Sequence, residues 1–282
     1  MTVAASSPLA ELLDVPEIAG TMNMTWLGQA GFAIRAGATT ALVDPFLAPY
    51  EGRRYESAVR ADEAAGLDVV LCTHEHVDHF DAVSASAFAR SSPECVFVVP
   101  TPIVDMVTEV GVAHDRVIGM QPGDVQKIGG LSVRAVPAMH GVTMEDAYGF
   151  GEELSGGQVR FLGYVLEADG VRAYHAGDTI PYDGMDVILR ELQVDVALLP
   201  INGRDADREA RGIVGNMTER EAAWVADEIG AGTLVPMHHD LFAANRGWPA
   251  HVVEAVERED RDVAVLVPPR ERPFRVSARG PR

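Results

Sequence analysis

The run LDVVLCT at residues 67–73 passes directly into HEHVDHFD at 74–81. A largely apolar run of this kind suits a strand buried on both faces. Such a sheet needs a packed layer over each face, which restricts the fold to layered α/β or β-sandwich architectures. The same strand must also deliver three histidines and two aspartates at its C-terminal end. On a helix, His74 and His76 would point apart. In a tight turn just past a strand, His74, His76, Asp78 and His79 can converge on one spot. Imidazole and carboxylate together suit Zn²⁺, Mn²⁺ or Fe²⁺. The competing reading is a solvated polar turn. The position, directly after a buried strand, favours a metal cradle whose other ligands come from distant segments.

Three further strand ends carry ligand types. His140 follows LSVRAVPAM, Asp178 follows VRAYHAG, and His238 follows GTLVPM. Each of these residues sits in a turn bearing Gly or Pro. Taken singly, a histidine after a strand or a GD turn is ordinary. Four strand ends bearing ligands imply that all four reach one edge of the sheets.

The rest of the chain supports layers. MTWLG, FAIRA and TALVDPF read as strands separated by Gly-bearing turns. Asp81 reads as the N-cap of a helix through AVSASAFAR. CVFVVP reads as a strand, and TPIVDMVTEVG as a helix closed by Gly111. In the second half, RFLGYVLEADG and VRAYHAGD read as a hairpin, DVILRELQ as a helix and VDVALLPING as a strand. MTEREAAWVADEIG carries a Thr218–Glu221 capping box. PAHVVEAVERE reads as a helix, DVAVLVP as the final strand, and PPRERPFRVSARGPR as an irregular tail. Residues 141–158 read as a loop over the site entrance. Two halves of similar layout, with no linker between them, predict a single domain over 1–282, with two sheets face to face and helices outside.

Composition narrows the function. The net charge is −19 at pH 7, a field that repels nucleic acid and anionic membranes. Lys127 is the only lysine, so an anion site must be built from arginine or backbone amides. No apolar stretch is long enough to span a bilayer, and the N-terminal stretch lacks the features of a secretory signal. Cys72 and Cys95 lie in strand-like runs and read as buried free thiols. These features predict a cytoplasmic protein acting on a small molecule.

The ordered set H-x-H-x-D-H, then His, Asp and His, resembles the signature of the metallo-β-lactamase superfamily. The likeness runs from TWLGQAGF to VPMHHD. It implies an α/β fold, the αββα sandwich of two mixed β-sheets flanked by helices, with metals at one edge. By that similarity one metal takes His74, His76 and His140, the other takes Asp78, His79 and His238, and Asp178 lies between them. The words TWLGQAGFAI, VDPF, INGRD, GNMTEREA and PMHHDLF resemble the L-ascorbate-6-phosphate lactonase branch, and a wider set of metal-dependent hydrolases similar to it. The branch uses manganese and can be a homo-oligomer. One or two ions per chain, Mn²⁺ or Zn²⁺, are therefore expected.

The neighbours of these ligands are candidates for supporting roles. The family pattern favours His238 over the adjacent His239, leaving His239 as a candidate substrate contact. Asp44, at the end of a strand, is expected to orient a metal-binding histidine. His175 is expected to pack or support. Asn202, Arg204 and Asn216, within 201–218, are candidate substrate contacts. Arg204 offers a fork that suits phosphate. WLGQAG lacks a phosphate-loop pattern and reads as a hairpin turn in which Gly28 and Gly31 permit positive φ. The expected activity is hydrolysis of a small lactone or ester by a metal-activated water, with Asp78 or Asp178 handling its proton. The rivals are a phosphodiesterase on a small phosphodiester and a non-catalytic metal-binding regulatory protein.

Overall fold

A computed structural model of the chain describes residues 7–143 and 157–280. The expected entrance loop falls for its larger part outside them. Two seven-stranded mixed sheets stack face to face. The first comprises β1 (Thr21–Gly28), β2 (Gly31–Ala36), β3 (Thr39–Val43), β4 (Val69–Leu71), β5 (Val96–Pro100), β6 (Val117–Met120) and β14 (Pro273–Ser277), in the order β14-β1-β2-β3-β4-β5-β6. The second comprises β7 (Val125–Ile128), β8 (Leu131–Pro137), β9 (Leu162–Ala168), β10 (Val171–His175), β11 (Val196–Pro200), β12 (Thr233–Met237) and β13 (Ala264–Val265), in the order β13-β12-β11-β10-β9-β8-β7. Strands run parallel from β3 to β6 and from β10 to β13, and antiparallel elsewhere.

Strand β4 is covered on both sides. Val69 and Leu71 join the core between the sheets, together with Phe32, Ile34, Val133, Tyr164 and Leu166. Val70 and Cys72 join an outer core, together with Leu42, Phe88 and Phe97. This is the period of two that a pleated strand imposes. Helix α2 (Ala82–Ser91) supplies Phe88 to that outer layer. Its cap, Asp81, accepts from Val83 N at 3.1 Å and Ser84 N at 3.2 Å. The other Asp81 oxygen accepts from Leu47 N and Ala48 N, which ties the chain after β3 to the start of the helix.

Helix α6 (Glu219–Glu228) lies over the second sheet and opens with the reciprocal Thr218–Glu221 capping box. Thr218→Ala is expected to lower stability by about 1 kcal/mol. The urea midpoint should fall with an unchanged slope. An unchanged midpoint would show that the cap is dispensable.

Several boundaries differ from the sequence reading. The tail is not wholly irregular: Pro273–Ser277 pairs antiparallel with β1 along the sheet edge. Pro273 stands at the first strand position, where its missing N–H costs no ladder bond. Of DVAVLVP only Ala264–Val265 pairs, against β12. A short helix, α1 (Pro8–Asp14), was not expected, although Ser7 caps it and Pro8 begins it. Strands β6 and β7 were also not expected. They are half-buried and short, and only their neighbours' edges specify them. Among the described residues no helix is long and apolar enough to cross a membrane.

Candidate metal centre

The parallel strands β3, β4, β10, β11 and β12 all end at one edge of the sandwich, and the chain leaving them carries Asp44, His74–His79, Asp178, Asn202 and His238. The turn between β1 and β2 brings Gln29 to the same edge. Past β4 the chain turns at once: His79 N donates to His76 O at 2.9 Å, and Phe80 N donates to the same oxygen at 2.7 Å. That single turn places four side chains of HEHVDH together.

Among the described residues three triads of donor atoms occur, the atoms of each within 4.8 Å of one another: His74, His76 and His140; His74, His79 and Asp178; and Asp78, His79 and His238. The first and last triads share no residue, and Asp178 straddles them. Asp178 Oδ1 is 3.4 Å from His79 Nε2 and 3.3 Å from His238 Nε2, while Oδ2 is 3.6 Å from His140 Nε2. His74 Nε2 and His76 Nδ1 are 2.9 Å apart. His79 Nε2 and Asp178 Oδ1 are buried with no hydrogen-bond partner. Buried polar atoms are normally satisfied. An orphaned nitrogen and an orphaned oxygen, within a set of donors at ligand spacing, therefore fit a divalent cation.

Second contacts set which ring nitrogen faces the centre. Asp44 is fully buried. Its Oδ1 accepts from Thr73 N at 2.8 Å, and its Oδ2 accepts from Thr73 Oγ1 and from His79 Nδ1, both at 2.7 Å. His79 therefore presents Nε2 inward. Because the Thr73 hydroxyl donates to Asp44, it accepts from His74 Nδ1 at 3.1 Å, which turns His74 Nε2 inward as well. His140 Nδ1 donates to Gly215 O at 2.7 Å. Asn216 Oδ1 accepts from Thr179 N at 3.0 Å, next to Asp178. The word GNM thus braces two of the clustered segments, at His140 and beside Asp178. Phe161 lies against His74 and His140, with ring centroids at 5.4 and 5.3 Å.

Charge divides across the centre. Burial pushes the imidazoles of His74 and His76 down, and takes His140 down to about 4, which keeps them in the neutral ligating form. Burial acts against ionised Asp78 and Asp178 too, but the imidazoles of His79 and His238 outweigh it and hold both carboxyls below the usual range. In return, despite burial, these carboxylates with Asp44 raise His79 well above its ordinary value, and the first two raise His238. Carboxylates that hold protons on two imidazoles would equally hold a cation.

Gln29 is a site residue that sequence reading passed over as a turn. It takes positive φ, 53°, beside Gly28 at 96°. Gly31 does not need positive φ; a Cβ there would lie 3.1 Å from Gly28 O and 3.2 Å from Asp44 O. The Gln29 Nε2 amide donates to Asp78 Oδ2 at 2.8 Å and lies 3.1 Å from His238 Nε2. Its backbone oxygen accepts from His238 N and from Trp26 Nε1. Asp44 at φ 45° and His238 at φ 57° share this left-handed conformation, which costs a non-glycine residue about 1–2 kcal/mol. Backbone strain of this kind collects at functional sites.

The other candidates divide. His238 joins the cluster. His239 instead stacks on Trp26, with ring centroids 5.1 Å apart. His175 is buried at the base, its Nε2 donating to Ala30 O at 2.7 Å. Asn202 is buried and donates to Asn245 Oδ1 at 3.0 Å. Arg204 does not present an open fork. Its guanidinium donates to both Glu221 oxygens, at 2.7 and 2.5 Å, and to Glu209 Oε1 at 3.1 Å. The fork expected to suit a phosphate is thus already taken by two carboxylates, one of them held in the cap of α6.

A family model described as a beta-lactamase superfamily domain matches residues 39–239. The chain is 31% identical over 250 residues to a UPF0173 metal-dependent hydrolase of Methanoculleus marisnigri, covering 89% of this chain and 95% of that protein. It is 28% identical over 191 residues to a probable L-ascorbate-6-phosphate lactonase of Salmonella newport, covering 66% of this chain and 52% of that one. Igni18, a metallo hydrolase from Ignicoccus hospitalis, shares the fold with a TM-score of 0.70 at 23% identity, covering 92% of this chain and 100% of the other. A family match over most of the chain, on a framework that brings His and Asp clusters able to hold a metal to one edge, means that this chain belongs to the metallo-β-lactamase superfamily and is one of its metal-dependent hydrolases.

Proposed function

We propose that the chain hydrolyses the ester bond of a small lactone, with a phosphorylated sugar lactone as the first class to test, using one or two Mn²⁺ or Zn²⁺ ions in the cytoplasm. The observation that carries the hydrolytic reading is the convergence of His and Asp donors from different strands at ligand spacing, with His79 Nε2 and Asp178 Oδ1 buried and orphaned among them. The lactone follows from the Salmonella relative, a probable L-ascorbate-6-phosphate lactonase. The cytoplasm accords with two buried free cysteines, Cys72 and Cys95. Mixed imidazole and carboxylate donors suit either metal.

A bound divalent cation lowers the pKa of a water and polarises the substrate carbonyl. The chain's own residues divide the remaining work. Asp178, 5% exposed, is enclosed between the triads and holds their geometry. Asp78, 18% exposed, is the more accessible of the two. It takes the proton of the attacking water and returns it to the alkoxide as the ring C–O bond breaks. Gln29 holds the Asp78 carboxylate in place through Oδ2.

Elemental analysis should find one or two divalent ions per wild-type chain and fewer in His76→Ala. Equal content in the two would remove this reading. Lactones, aryl esters and bis-p-nitrophenyl phosphate, each assayed with Mn²⁺, Zn²⁺ or no added metal, test the substrate. Metal-dependent lactone turnover is expected. Preference for the phosphodiester would overturn the lactone assignment in favour of small-phosphodiester hydrolysis, and turnover of none would favour a non-catalytic metal-binding role.

A further inference from the structure

Arg246 is the one arginine among the described residues that forms no ion pair and donates no hydrogen bond, in a chain with 42 acidic residues. Its guanidinium lies 4.1 Å over the Trp248 ring, and its Nε is buried without an acceptor. A guanidinium left over an aromatic face in so acidic a protein is available to an anion.

The surroundings repeat the pattern. His239 Nε2 and Asn202 Oδ1 are also buried and unpartnered, on side chains of residues 7% and 4% exposed. The Asn202 orientation is set by its neighbours. Arg208 Nη1 donates to Asn245 Oδ1 at 3.3 Å, so that oxygen must accept from Asn202 Nδ2, at 3.0 Å. The oxygen of Asn202 is thereby left as an acceptor without a donor.

These groups belong to one place. Gly247 N donates to His239 O at 3.3 Å. A Cβ on Gly247 would lie 2.6 Å from Ile201 C, so only glycine lets this loop seat against the chain leaving β11. The segment 245–247 therefore bridges the ends of β11 and β12, beside the ligand His238.

The geometry points to a substrate-anchoring subsite at Arg246, His239 and Asn202, adjacent to the metal centre, for a small hydroxylated anion. Arg246 binds the phosphate or carboxylate, and Asn202 Oδ1 accepts from a hydroxyl. This deepens the lactone reading and rests on it for the reaction, though not for the binding. It moves anion recognition from Arg204, whose fork Glu221 holds, to Arg246.

The test is carried out on the metal-loaded full chain. Inorganic phosphate is titrated while tryptophan fluorescence is followed, since Trp248 lies under Arg246 and Trp26 under His239. Arg246→Gln should weaken phosphate binding about tenfold or more. Arg246→Lys should recover part of the loss, and Arg204→Gln should leave binding close to wild type. Equal titration of wild type and Arg246→Gln would mean that phosphate meets only the metals, and would overturn the subsite. Equal weakening by Arg204→Gln would also overturn it, since loop packing rather than the free guanidinium would then be responsible. Steady-state kinetics on gluconolactone and its 6-phosphate form the second arm. Arg246→Gln should raise KM about tenfold for the phosphorylated lactone and much less for the plain one, with kcat near wild type. Equal KM changes for both would overturn phosphate reading at Arg246. A carboxylated lactone in the same series tells carboxylate from phosphate recognition. Because the fluorescence arm needs no turnover, it stands even if no lactone is hydrolysed.

Discussion

Asp78→Asn is expected to lower kcat by about 10²-fold or more, the scale on which positioned general acid–base groups act, with a much smaller change in KM. Asparagine keeps the size and can still accept from the Gln29 amide, which now lies 2.8 Å from Asp78 Oδ2. What it loses is the charge and the proton acceptor. In the protein that charge persists against burial because His79 and His238 hold the carboxyl below its usual range. Metal content must be measured on the same sample. Full turnover with metal retained would place the proton acceptor elsewhere, with Asp178 the next candidate.

The second large effect is expected at Asp44, which does not face the centre. Asp44→Asn keeps an acceptor for Thr73 N but offers an NH₂ group to a neighbouring donor. His79 Nδ1 now donates to Asp44 Oδ2 at 2.7 Å. With an amide there, His79 favours the tautomer whose protonated Nε2 faces the triads, and a protonated nitrogen cannot ligate. Metal affinity should fall about 10–100-fold, as when other groups that orient a ligating histidine are lost. Asparagine tolerates the positive φ at this position, so the fold should survive. Asp44→Ala goes further. Thr73 N, Thr73 Oγ1 and His79 Nδ1 would all lose a buried acceptor, at about 1–3 kcal/mol for each group left unsatisfied. Competition titration with a metal chelator reads the first variant, and thermal unfolding reads the second. Wild-type metal affinity in Asp44→Asn would show that the carboxylate does not set the tautomer.

Much of the centre was legible in the sequence because its information is local. HEHVDH follows a strand buried on both faces, and a short turn after a strand can only aim its side chains at the sheet edge. The same reasoning applied to His140, Asp178 and His238, each one or a few residues past an apolar strand. Asp81 as a cap and the Thr218–Glu221 box depend on residues three apart, and they too were readable.

What escaped depends on segments far apart in the chain. Gln29 reads as a hairpin turn, and only the return of His238 to its side makes it a contact of Asp78, 49 residues away. Strand β14 looks like an irregular tail until the free edge of β1 supplies its hydrogen bonds. Arg204 and Arg246 both lie in loops after strands, β11 and β12. The fold alone gives Glu221 to the first, across 17 residues, and leaves the second over Trp248. Which side chains meet at the edge was thus written in the order and spacing of the residues, because strand ends select direction. Which charges remain free for a substrate was decided only by tertiary structure, because a guanidinium is neutralised by whichever carboxylate the packing brings within reach.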